Sequence, residues 1–156
     1  MSVVNNQFML AALEQAKKAA LSNEVPVGAV LVLDGKIISE GHNLTIFNND
    51  PTAHAEVVAI REACRIIGNY RLTQCELYVT LEPCCMCAGT IMQARLQKIY
   101  FGAYDRKSGV ASSELNLFDD RRLNHQTTCV GGIMADSSKR LLQKFFLNKR
   151  PPPNEV

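Results

Sequence analysis

The run TLEPCCMCAGT, Thr80 to Thr90, places three cysteines among four consecutive residues directly after a Glu-Pro step. Thiolates serve as nucleophiles, redox centres and soft metal ligands, and spacing decides among these roles. Cys84 and Cys87 are three apart and share a helix face, whereas Cys85 points elsewhere. A C-x-x-C pair closes a tetrahedral zinc site only with further ligands, and the chain has no second C-x-x-C. Upstream, AHAE offers His54 as the third ligand and Glu56, two residues on, as a carboxylate.

Residues two apart in mid-helix aim to different sides, but at a helix N-terminus both can lean toward a group beyond the helix end. The same holds for the cysteines after Pro83, so two helix starts should converge on one point, where their dipoles favour thiolates. Three protein ligands leave a fourth position for water, the arrangement of a catalytic rather than a structural zinc. Two thiolates donate much charge and weaken such a zinc as a Lewis acid. A nearby base is then needed, and Glu56 is placed to be it. A redox C-x-x-C and a structural zinc knot are the plainer readings. The redox reading leaves His54 and Glu56 without a job, and the pairing of H-A-E with P-C-x-x-C, both opening helices, favours the catalytic site. Cys64, Cys75, Cys85 and Cys129 read as small core residues, and His42 and His125 as ordinary satisfied histidines.

The elements that must position these residues follow from periodicity. QFMLAALEQAKKAALS carries Phe8, Ala12, Ala16 and Ala20 at helical spacing. VGAVLVLDGKIISEG reads as a hairpin about Asp34-Gly35, a dipeptide that tolerates positive φ at both turn positions. A helix opening near Ala53 ends at Gly68, followed by the strand CELYVTL, the helix CCMCAGTIMQARL and the strand KIYFGAY. Helix, strand, helix, strand implies parallel strands joined by crossovers. The polar stretch DRKSGVASSELNLFDDRRLNHQ is a long connection of the kind that is usually functional. TTCVGGI adds a short strand, and SSKRLLQKFFLNK a final helix stopped by Pro151 to Pro153.

At 156 residues the chain fits a single domain, 1–156. With 47% apolar and 21% charged residues it is neither disordered nor membrane-spanning, since its apolar runs are strand-sized. The N-terminus lacks a basic n-region, and with no export signal the six cysteines are expected to be reduced thiols in the cytoplasm. A net charge of +2 does not by itself argue for nucleic-acid binding.

The H-A-E and P-C-x-x-C pair resembles the signature of the zinc-dependent nucleobase deaminases. NEVPVGAV, GHN, DPTAHAE, LYVTLEPCCMCAGTI and the run from Tyr100 to Ser113 narrow the likeness to bacterial tRNA adenosine deaminases of the TadA type. The resemblance implies an α/β fold of three layers, α/β/α and cytidine-deaminase-like, around a central mixed sheet of about five strands. It implies one Zn2+ per subunit on His54, Cys84 and Cys87, with Glu56 as acid and base. It further implies a homodimer acting on a tRNA anticodon stem-loop, converting the wobble adenosine to inosine. Substrate contacts carried over are Asn43, Val27, Ala53, Asp105, Arg106 and Lys107; Asn43 also reads as a turn asparagine and Val27 as ordinary core. Ser112 departs from the family, which often has glycine there, so a positive φ at that position would strain the loop. Lys139, Arg140, Lys144, Lys149 and Arg150, with Phe145 and Phe146 among them, read either as an RNA surface or as a solvated helix face with a core-facing aromatic pair. Two other functions stay open: deamination of a free base or nucleoside such as guanine or cytosine, and a non-catalytic zinc module that binds RNA.

Overall fold

A computed structural model describes residues 5–149. The chain runs α1 (Asn6–Leu21), β1 (Gly28–Leu33), β2 (Lys36–His42), α2 (Ala55–Ile67), β3 (Glu76–Leu81), α3 (Cys85–Gln93), β4 (Lys98–Ala103), β5 (Thr128–Val130) and α4 (Ala135–Lys149), with a 3-10 turn at Leu117–Asp119. The five strands form one sheet in the order β2-β1-β3-β4-β5. β1 pairs antiparallel with β2 and β3, whereas β3, β4 and β5 run parallel. The mixed sheet and the crossover reading are both borne out.

Strand alternation divides the interior into two layers. Val30, Val32, Tyr78 and Tyr100 point to one face, where Met9, Ala12 and Leu13 of α1 cover them. Ala29, Leu31, Leu77, Val79, Ile99 and Phe101 point to the other, against Ala55, Ala59 and Ile60 of α2 and Ala88 and Ile91 of α3. Tyr78 and Tyr100 stack with ring centroids 4.5 Å apart, filling the first layer with two large rings. At about 25 cal/mol per Å2 of apolar surface, burying such side chains on both faces is what stabilises a three-layer domain.

The hairpin turns as its Asp-Gly step requires, with φ of 50° at Asp34 and 74° at Gly35. α2 lies almost on the backbone of β2: a Cβ at Gly41 would fall 2.6 Å from the Ala55 carbonyl oxygen and 2.7 Å from the Ala59 nitrogen. This close approach brings the first turn of α2, and with it His54, over the end of the sheet. Three helix boundaries differ from expectation. α2 begins at Ala55 rather than Ala53, because His54 is its N-cap in an extended conformation. α3 stops at Gln93 because Arg95, not a glycine, takes the left-handed position with φ 60°, and the Leu96 N–H closes back to the Ile91 carbonyl. The final helix starts two residues earlier than its apolar pattern suggests. Arg150 and the proline run Pro151 to Pro153 lie outside the described residues.

Candidate metal centre and active site

The two helix starts converge. His54 is the N-cap of α2 and Cys84 the N-cap of α3, and neither side chain caps its own helix. Both are thereby free to face a common point. His54 Nδ1 lies 3.6 Å from Cys84 Sγ and 3.4 Å from Cys87 Sγ. Ligands on a tetrahedral zinc, with Zn–S about 2.3 Å and Zn–N about 2.0 Å, stand about 3.5 Å apart from sulfur to nitrogen. The donor set and its spacing therefore fit zinc. Among the described residues it is the one group of three or more His, Cys, Asp or Glu side chains gathered closely enough to hold a metal.

The electrostatics match a site built for a cation. Cys87, fully buried, donates its S–H toward Cys84, which lowers the Cys84 pKa to about 4 and raises that of Cys87. A divalent cation takes both sulfurs as thiolates and displaces whatever proton they carry. Contact with the Cys84 sulfur raises the His54 pKa against the opposing effect of burial. Glu56, 4% exposed at the first turn of α2, has its pKa raised chiefly by burial. A carboxyl so placed can hold a proton at a pH where an exposed one has lost it.

The remaining cysteines and histidines stay outside this cluster. Cys75 is buried and Cys64 and Cys129 half-buried, but Cys85 is exposed, which corrects its reading as a core residue. The neighbour of an N-cap ligand on a helix whose inner face is already filled turns to solvent. His125 Nε2 meets the Leu96 carbonyl at 3.0 Å, and His42 Nδ1 lies 3.3 Å from Gln15 Oε1.

Around the cluster, Asn43 is 9% exposed and bridges two segments. Its amide nitrogen donates to the Val25 carbonyl at 3.0 Å, and its Oδ1 accepts from the Ala55 N–H at 2.9 Å. It supplies the cap that His54 cannot. Val27 lies in the main core, and Val25 lines the neighbouring groove instead. Ala53 is buried beside His54, its carbonyl accepting from the Leu44 N–H. Asp105 Oδ1 accepts from the N–H groups of Lys107 and Ser108, and the side chains of Arg106 and Lys107 are exposed. Ser112 does not adopt positive φ, so the strain that a glycine position would bring does not arise.

Two buried glutamates escaped sequence reasoning. Glu24, fully buried, accepts from the N–H groups of Ile46 and Phe47 and from the Thr45 hydroxyl. It fixes the loop between Asn43 and His54. Glu82, 2% exposed, accepts from the N–H groups of Asp105, Ala111, Ser112 and Ser113 and from the Ser113 hydroxyl. The available signal was an acid in an otherwise apolar strand end, directly before Pro83.

A groove of about 1410 Å3 runs from Leu81 and Ala103, at the carboxyl ends of β3 and β4, along the 104–108 loop to Lys139, Phe146 and Lys149 of α4. Ligands bind at such strand ends in open α/β sheets. Phe146 is 49% exposed and lines the groove, so the aromatic pair is not core-facing as a unit; Phe145 is half-buried under the Lys149 ammonium, 5.4 Å from its ring.

The family described as the cytidine and deoxycytidylate deaminase zinc-binding region matches residues 3–103. A tRNA-specific adenosine deaminase of Haemophilus influenzae is 47% identical, over 96% of this chain and 87% of its own. The chain belongs to the tRNA-specific adenosine deaminases of this zinc-binding family. A solved structure from work on A-to-I editing at the wobble position of transfer RNA matches this deaminase with a TM-score of 0.86 and 43% identity, covering 88% of this chain and all of that one. A guanine deaminase from Bacillus subtilis matches over 98% of this chain and 99% of its own, with a TM-score of 0.64 and 30% identity. The deaminase is thus more like the RNA-editing relatives than this free-base one.

Proposed function

We propose that this chain hydrolyses adenosine to inosine at the wobble position of a tRNA anticodon, with one zinc per subunit on His54, Cys84 and Cys87. The observation that carries the reading is the meeting of these three donors at two helix N-caps, with buried Glu56 on the first turn beside them. Zinc, when bound there, acts as a Lewis acid that makes water a nucleophile near neutral pH. Glu56 takes the proton of the attacking water and hands it to ring N1, which makes C6 electrophilic. It then takes the second proton, from the hydroxyl added at C6, and gives it to the amine as the C6–N bond breaks; ammonia leaves, the C6 oxygen becomes the inosine carbonyl, and one carboxylate is both base and acid.

The base must leave its stack to reach the site, and a hairpin-loop nucleotide is already partly unstacked. Asn43 retains one amide N–H beyond its bond to Val25 and is assigned to the flipped nucleotide, beside the small wall formed by Ala53. Arg106 and Lys107, with Lys139 and Lys149 across the groove, form the phosphate side, and Asp105 is assigned to the substrate through the turn it holds for them. Support for RNA over a free base is the four cations Arg106, Lys107, Lys139 and Lys149 that line this groove beyond the strand ends, and the 47% relative.

The substrate and the free thiols support a cytoplasmic setting; no helix among the described residues is long and apolar enough to cross a membrane. Assembly as a homodimer follows from the resemblance, and the exposed Ile66 and Tyr70 at the end of α2 are apolar surface available to a second copy. Sedimentation showing only monomer at working concentration refutes the dimer. Metal-loaded protein should form inosine in an anticodon stem-loop with a wobble adenosine and leave free adenine, guanine, cytosine and adenosine unchanged. Turnover of the free compounds alone refutes the function.

A further inference from the structure

Glu82 is an expensive residue to bury, because a carboxylate taken from water must recover its solvation from the protein. Here the recovery comes from one loop. Oε1 accepts from the Asp105 N–H at 3.1 Å and from the Ser113 hydroxyl. Oε2 accepts from three successive N–H groups, Ala111 at 3.0 Å, Ser112 at 2.9 Å and Ser113 at 3.0 Å. The Val110 N–H donates to the next carbonyl, that of Pro83, at 3.0 Å. Backbone donors of residues 111–113 thus wrap as a nest around an internal anion, and the Val110 bond to Pro83 ties the start of that run to the same turn. Between the two anchor points, residues 105–109 close on themselves: the Gly109 N–H donates to the Asp105 carbonyl, and Asp105 Oδ1 accepts from Lys107 and Ser108. Arg106 and Lys107 therefore stand exposed on a turn tied down at both ends by one carboxylate.

Glu82 is not part of the three-residue donor cluster. Its place in the chain gives it a different task, since it is followed by Pro83 and then by the ligand Cys84. The loop makes room for it: a Cβ at Gly109 would fall 2.3 Å from the Glu82 carboxyl carbon. Both oxygens are committed as acceptors, so an amide of the same size would turn its NH2 group against backbone donors.

We propose that Glu82 is a positioning residue for the RNA, fixing the 105–113 loop, and with it Arg106 and Lys107, to the same backbone turn that carries Cys84. This rests on the tRNA reading above. The metal and the phosphate-binding cations are then held in one frame, two residues apart at its root, and substrate bound to the loop is delivered to the site at a fixed offset.

The test is Glu82→Gln on the zinc-loaded protein with an anticodon stem-loop. KM should rise about tenfold, with kcat within about threefold and zinc still one per chain, because the interaction lost is in binding and not in chemistry. Gly109→Ala, which keeps the Glu82 carboxylate chemically intact but forces it and the loop apart, since the new Cβ would fall 2.3 Å from its carboxyl carbon and 2.5 Å from the Asp105 carbonyl oxygen, should raise KM in the same way. In a cycle with Arg106→Gln, the KM effect of losing Arg106 should shrink in the Glu82→Gln background. An unchanged KM in both Glu82→Gln and Gly109→Ala, a kcat loss at unchanged KM, or strict additivity with Arg106→Gln overturns the proposal. If Glu82→Gln fails to fold or loses zinc, Gly109→Ala and its cycle with Arg106→Gln decide alone. A wild-type protein that neither deaminates nor binds the stem-loop, by fluorescence anisotropy, removes the tRNA reading and the positioning role together; normal wild-type turnover with unaltered variants removes the second alone.

Discussion

Glu56→Gln separates the proton work of this site from its metal. The substitution keeps the side-chain volume and leaves His54, Cys84 and Cys87 untouched, so zinc should remain at one per chain. General acid–base groups contribute about 10^2 to 10^4-fold each, and here one carboxylate both takes and returns the proton, so the single-turnover rate should fall at least about 10^3-fold. Stability should move the other way. Burial raises the Glu56 pKa, so folding of the metal-free protein is penalised for ionising this group. The penalty is absent below the ordinary carboxylate pKa, where the group is protonated folded and unfolded, and grows as pH rises through the gap toward the higher folded value. Metal-stripped Glu56→Gln should therefore melt above metal-stripped wild type at pH 8, with the difference closing below about pH 4. Inosine release from a stem-loop, zinc by atomic absorption and thermal melts in chelator measure the three quantities. Retention of more than a tenth of the wild-type rate, or loss of zinc, would refute the assignment.

His54→Ala and Cys87→Ala should each lose stoichiometric zinc and the stabilisation that zinc addition gives the wild type, as read by metal analysis and melts with and without zinc. For Glu24, burial would raise the pKa but the N–H bonds from Ile46 and Phe47 and the Thr45 hydroxyl outweigh it and hold the carboxyl below its ordinary value. Its stabilisation is present above the unfolded pKa and lost as pH falls through the folded one, so Glu24→Gln should cost about 2 kcal/mol in urea unfolding at pH 7 and progressively less below pH 4. Asn43→Ala strands the buried Ala55 N–H at the start of α2; a loss of about 1–3 kcal/mol and weaker zinc retention under chelator are expected, and a change in KM alone would reduce Asn43 to a substrate contact.

The meeting of His54, Cys84 and Cys87, with Glu56 beside them, was legible because side-chain type and intervals of two and three residues mark such a cluster. The five strands were legible as short β-branched and apolar runs between turns and helices, and the hairpin from Asp34-Gly35. What the sequence concealed were partners that have no residue type. Glu24, Glu82 and Asn43 all bind backbone groups, and a backbone N–H thirty positions away leaves no mark in the sequence. The end of α3 was hidden for a related reason: Arg95 fills a conformation usually announced by glycine. Val27 illustrates the ambiguity of a period-two signal, which identifies two faces without saying which of them is covered.

Placing the proposed ligands at the N-caps of α2 and α3 also narrows how this scaffold can be improved. A standard route to a more thermostable enzyme is to install Ser, Thr, Asp or Asn at helix N-caps, each gaining about 1 kcal/mol. On the proposed reading that route is closed at residues 54 and 84, since the substitution would exchange a stabilised helix for an empty metal site. For an engineer these two helix starts are fixed points, and hardening the domain has to begin elsewhere.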